Sequence, residues 1–124
     1  MQTADNIEKN LRAIREVLDI NTEGIDVSQL VEIGKKLASL VGLSAECMAA
    51  SQRRLQAARL TAIKKLVEQN YSPSIVLKMA EAECGLEVAL HEYADRLNAG
   101  ISHQLDFFRS VVSLHKVELE NSLK

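Results

Sequence analysis

The chain has 124 residues, 47% hydrophobic and 26% charged, with 17 Leu and 14 Ala against two Phe, two Tyr, one Pro and no Trp. Its length suits one domain and leaves no room for two independent cores, and its unbranched Leu, Ala, Glu, Lys, Arg and Gln favour helices over an all-β or dinucleotide-binding sheet fold. A formal charge of −2 and a pI near 5.9 exclude the uniformly basic surface of a general nucleic-acid coat, although a local basic stripe can still meet phosphate.

Ile7, Leu11, Ile14 and Leu18 recur at steps of four, three and four, which predicts a helix over about 3–18 with one buried face. The turn formers of 19–24 end it. A second helix is expected from Asp26 to Ser28, either of which can cap it, with Leu30, Ile33, Leu37, Leu40 and Val41 as its apolar stripe. Gly42 then suits a helix end, and Ser44 suits the cap of a third helix reaching about Gln69. Its Ala49, Ala50, Ala57, Ala58 and Ala62 permit close approach of a neighbour, with Leu55, Ile63, Leu66 and Val67 as larger packing surface.

Asn70-Tyr71-Ser72-Pro73 is the clearest punctuation, because Ser72 is displaced from α geometry by the proline and Pro73 fits a first helical position. From Met79 an apolar series runs through Ala82, Leu86, Leu90, Tyr93, Leu97, Ile101, Leu105, Phe108, Val112 and Leu119 without losing phase at Asn98-Ala99-Gly100. This predicts one continuous helix of about 50 residues, or roughly 75 Å, far longer than the radius of gyration of roughly 14 Å for a compact chain of this size. A monomer is not expected to cover such a rod: either it breaks near Gly100 and the chain folds into a bundle of about five helices, or, the favoured reading, other copies bury its stripe. Leu86, Leu90, Tyr93, Leu97, Ile101, Leu105, Phe108 and Val112 are therefore candidate oligomer-interface residues, packed in a coiled-coil-like manner.

Charge is segregated along the sequence. Residues 47–67 contain Arg53, Arg54, Arg59, Lys64 and Lys65 without an acid, whereas 79–95 contain Glu81, Glu83, Glu87, Glu92 and Asp95 without a base. The two stretches flank the short turn at 70–72 and are expected to pair across an antiparallel hairpin. If instead Arg53, Arg54, Arg59, Lys64 and Lys65 stay accessible, they form a cationic track for a phosphate backbone, although few aromatics are present to stack bases.

His91, His103 and His115 fall every twelve residues, so successive rings rotate by roughly 120° and do not converge on one metal. Cys47 and Cys84 lack CxxC spacing and read as reduced thiols of a cytosolic, hence cytoplasmic, protein. No leader or membrane-spanning stretch is expected, nor any cofactor, since Gly-rich phosphate loops and nucleophile motifs are missing from the sequence.

Tyr93-Ala-Asp-Arg-Leu97, His103-Gln-Leu-Asp-Phe-Phe-Arg-Ser110 and Ser113-Leu-His-Lys-Val-Glu118 together resemble the terminal helix of small phage or prophage proteins encoded among replication and recombination genes, over roughly a quarter of the chain. That resemblance implies a recombination-mediator-like oligomer that binds single-stranded DNA, and it transfers no catalytic or ligand residue. The residues themselves predict a single all-α domain, with a helical pair over about 3–42 and a long hairpin over 44–122. They predict a non-enzymatic, homo-oligomeric scaffold or adaptor for protein–protein contacts, with the nucleic-acid accessory role as the alternative.

Overall fold

The first helix starts where Thr3, in extended conformation, accepts a hydrogen bond from Asn6 N–H at 3.2 Å, which satisfies one orphan donor of the first turn. The computed structural model describes residues 2–123, and in it this helix, α1, spans Ala4–Leu18. Ile7, Leu11 and Ile14 are wholly buried, as their spacing requires. Each such side chain contributes up to about 1.5–3 kcal/mol of burial. Gly24, at φ +71°, supplies the left-handed residue that turns the chain toward the next helix.

Helix α2, Val27–Glu68, opens with a reciprocal capping box: Asp26 accepts from Gln29 N–H at 2.9 Å, and the Gln29 side chain accepts from Asp26 N–H at 3.2 Å. Ser28 donates to the same Asp26 carboxylate at 2.7 Å, and these donors hold that carboxyl below its usual range. The helices expected on either side of Gly42 are one. Gly42 has no positive φ, and Ser44 does not cap a helix end but faces inward, fully buried. A glycine stops a helix only where its backbone leaves α geometry, and packing along α2 holds it there.

A true end follows. Asn70 adopts φ +64°, its N–H bonds to Val67 C=O at 3.0 Å, and Tyr71 N–H reaches back to Leu66 C=O at 3.4 Å, the paired closure of a left-handed helix stop. Helix α3 spans Pro73–Glu83 with proline at its start, but Ser72 contributes its carbonyl to Val76 N–H rather than a side-chain cap. The long final helix is interrupted where no proline stands. At Cys84, with φ −95° and ψ 17°, the backbone N–H divides between Ala80 and Glu81 carbonyls, and α4, Gly85–Ser122, begins. Beyond that step α4 runs unbroken through Gly100, as the apolar phase predicted.

Helix α4 lies antiparallel to α2. Ser44 Oγ donates to Asn98 Oδ1 at 3.0 Å, Ser51 Oγ lies 3.0 Å from His91 Nδ1, and a Cβ added at Gly34 would meet Phe108 at 3.6 Å. The residue numbers in each pair sum to 142, so one register extends along the whole contact. Helix α1 packs against both long helices, from Gln2, whose carbonyl accepts from Arg54, to Leu18, which abuts Gly100. It covers the part of the pair nearer the start of α4, about 42–54 of α2 and 88–100 of α4. One core joins α1, α2 and α4 around Leu11, Leu37, Cys47, Leu97 and Phe108; a second joins α2, α3 and the start of α4 around Leu55, Leu66, Val76 and Cys84. No helix among the described residues is long and apolar enough to cross a membrane.

Candidate interaction surfaces

The antiparallel register corrects the expectation that the apolar edge of the last helix needs other copies to cover it. The 42-residue α2 is itself a rod, and it shelters most of that edge. Of the eight candidate interface residues, Leu97, Ile101 and Phe108 are buried within the chain's own core, and Leu90, Tyr93 and Leu105 pack on that core. Leu86 and Val112 alone remain exposed. These six serve the chain's own core, although Leu105 and Phe108 also edge one surface groove and Leu90 and Tyr93 another.

The five basic residues separate in the same way. Arg59 forms a two-point ion pair with Glu81, at 2.6 and 3.3 Å, and Lys65 lies 3.3 Å from Glu83, both across the α2–α3 hairpin. Arg54 donates from Nη1 to the Gln2 carbonyl at 3.2 Å, tying the start of α1 to α2. Arg53 and Lys64 are exposed, with no ion-pair partner among the described residues. Eleven residues apart, about three turns, these two share one face, while Arg59 is directed elsewhere.

Two polar pairs inside the protein were not anticipated from the sequence. Ser44 and Ser51 are both fully buried, seven residues apart on α2; Asn98 and His91 stand seven apart on α4. The heptad spacing on both helices was the available signal, hidden because Ser44 read as a cap and His91 was weighed only as a metal ligand. The pair resembles a serine–histidine dyad in distance only. Ser51 Oγ also donates to Met48 C=O at 3.0 Å and is closed to solvent, so it presents no nucleophile to a dissolved substrate. Satisfied polar groups in an apolar seam instead penalise slipped registers, which would leave them unpaired.

His103 is exposed and His115 half-buried, both far along α4 from His91, and no three metal-ligating side chains cluster among the described residues. Cys47 and Cys84 are free and buried, and burial pushes both thiols above their usual range.

Grooves lie along the helix pairs. One of about 430 Å³ contains Arg54, Thr61, Lys65, Glu83, Cys84 and Glu87, where acids and bases offset one another. A second, of about 400 Å³, lies between the start of α1 and the Leu86–Tyr93 segment of α4. A third, of about 410 Å³, lies between α2 and α4 beyond the end of α1, with Leu30, Gly34, Ala38, Leu105, Phe108 and Val112 along it. This last groove is lined mainly by apolar side chains. Protein-family models, curated proteins and solved structures were compared with this chain, and none matches.

Proposed function

We propose that this protein is a non-enzymatic, homo-oligomeric helical scaffold or adaptor. One observation carries the reading: large apolar side chains stand exposed along the helices, Leu60 and Leu86 among them, and most densely at the two ends of the molecule. Tyr71, Ile75 and Leu77 project at the α2–α3 turn, and Leu114, Val117 and Leu119 along the end of α4. Water-exposed apolar side chains in this number favour burial by a partner. The core supplies rigidity, because its register is fixed by the two polar pairs.

Light scattering on the purified intact chain tests the proposal. A mass above 13.7 kDa that rises with concentration is expected; a protein that stays at the monomer mass over the whole accessible range refutes self-assembly. The phosphate-track alternative is less favoured, since Arg59 and Lys65 are already held by Glu81 and Glu83. It requires single-stranded DNA binding that weakens steeply with salt and is lost on reversing Arg53 and Lys64.

A further inference from the structure

We infer that two copies pair about a two-fold axis through the C-terminal end of α4, each copy's projecting helix end lying over the other's groove between α2 and α4. This inference rests on the oligomeric reading above and names the surface and the partner.

The register shows that there is an end to project. With paired residues summing to 142, Val27, the first residue of α2, lies level with residue 115 of α4. Helix α4 continues to Ser122, so its last two turns have no α2 opposite them. Those turns and the one before them carry Leu114, 61% exposed, with Val117 and Leu119, each about half exposed. Leu119, seven residues or about two turns after Val112, continues the face of α4 that lines the groove, whereas Leu114 and Val117 point to the other side; a helix end of this length gains little stability from its own hydrogen bonds and depends on packing such a face.

The adjoining groove has the complementary character. Its floor is apolar, and it is narrowed by no side chain at Gly34, where only Phe108 stands close. The charged residues that line it are both cations, Lys35 and Arg109. Each has a local acid, Glu32 and Asp106, but those pairs span 3.3 Å between side chains about 70% exposed, and such pairs exchange partners at little cost. The projecting end bears the opposite sign: Glu118 and Glu120 flank Leu119, with Lys116 the one cation of 116–122. An acidic apolar helix end and a cationic apolar groove, carried side by side on one chain, are satisfied together when a second copy is related by a two-fold axis, each end entering the other's groove.

The test uses charge reversal at exposed positions, which leaves the core untouched, with circular dichroism to establish that helicity is retained. Sedimentation equilibrium of the intact wild-type chain is expected to give a dimer. Glu118→Lys with Glu120→Lys, and separately Lys35→Glu with Arg109→Glu, are each expected to weaken it about tenfold or more. An equimolar mixture of the two variants restores complementary ends and grooves, so the mixed dimer recovers most of the wild-type affinity. A wild-type oligomer that neither variant weakens overturns this pairing while leaving the oligomeric scaffold intact. Weakening by both variants without recovery on mixing also overturns it, because the two charge sets then do not face each other. A wild-type chain that is monomeric throughout overturns the inference and the scaffold reading together.

Discussion

Replacing Gly42 with alanine distinguishes an unbroken α2 from the two helices that the local sequence suggests. Gly42 is exposed, lies inside α2 without a positive φ, and has no atom within 4 Å of the position a Cβ would take. Alanine therefore adds a methyl group to open space and removes the entropic penalty of glycine in a helix interior, a gain of about 1 kcal/mol. Unfolding entropy of about 2.1 cal/mol/K per residue gives about 0.26 kcal/mol/K for this chain, so the melting temperature rises by about 4 °C. Urea unfolding followed by circular dichroism, at fixed protein concentration, is expected to show a higher midpoint with unchanged slope. Gly24→Ala is the control of opposite sign: at φ +71° an added Cβ costs about 1–2 kcal/mol. A lower midpoint for Gly42→Ala would mean that residue 42 also needs a left-handed backbone, and the continuous α2 would be wrong.

Ser51→Ala removes the hydroxyl between Met48 C=O and His91 Nδ1 and leaves the imidazole nitrogen without its partner in the seam, so denaturant unfolding is expected to show a loss of about 1–3 kcal/mol. Asp26 titrates below its ordinary value because Ser28 and Gln29 bond its charged form; its contribution to stability is complete above about pH 4 and declines as pH falls through the lowered folded value. Asp26→Ala should lower the melting temperature at neutral pH and lose that part of the acid dependence; equal effects at pH 7 and pH 2 would contradict the capping role. Cys47 and Cys84 are buried with raised thiol pKa values, so a disulfide reagent at pH 8 is expected to modify them slowly in the native protein and rapidly in urea. Prompt reaction without denaturant would place a thiol at the surface.

The sequence exposes local rules more clearly than their long-range outcome. Ile7, Leu11 and Ile14 repeat at helical spacing and are all buried, and the Asn70–Pro73 stop carries its own signal in residues that tolerate or require special backbone angles. The separated charges at 47–67 and 79–95 likewise anticipate the Arg59–Glu81 and Lys65–Glu83 pairs. Gly42 and Gly85 show the limit: the first sits inside a helix and the second opens one, although nothing local separates them. Neither glycine has an atom within 4 Å of where a Cβ would stand, so the break is decided by the contacts of the helices on either side and not at the glycine. For the same reason the apolar edge of α4 was legible as an edge, but its cover was not. Periodicity gives the direction a side chain faces and is silent on whether α2 or another molecule meets it.

The single register shared by Gly34–Phe108, Ser44–Asn98 and Ser51–His91 also makes α2 a strut of about 63 Å whose span is set by counting residues. Removing one heptad from α2 and the matching heptad from α4 shortens it by about 10.5 Å while keeping side-chain phase nearly constant. The Tyr71 turn is thereby held at a distance from the far tip of α4 that thermal motion of a flexible tether would blur.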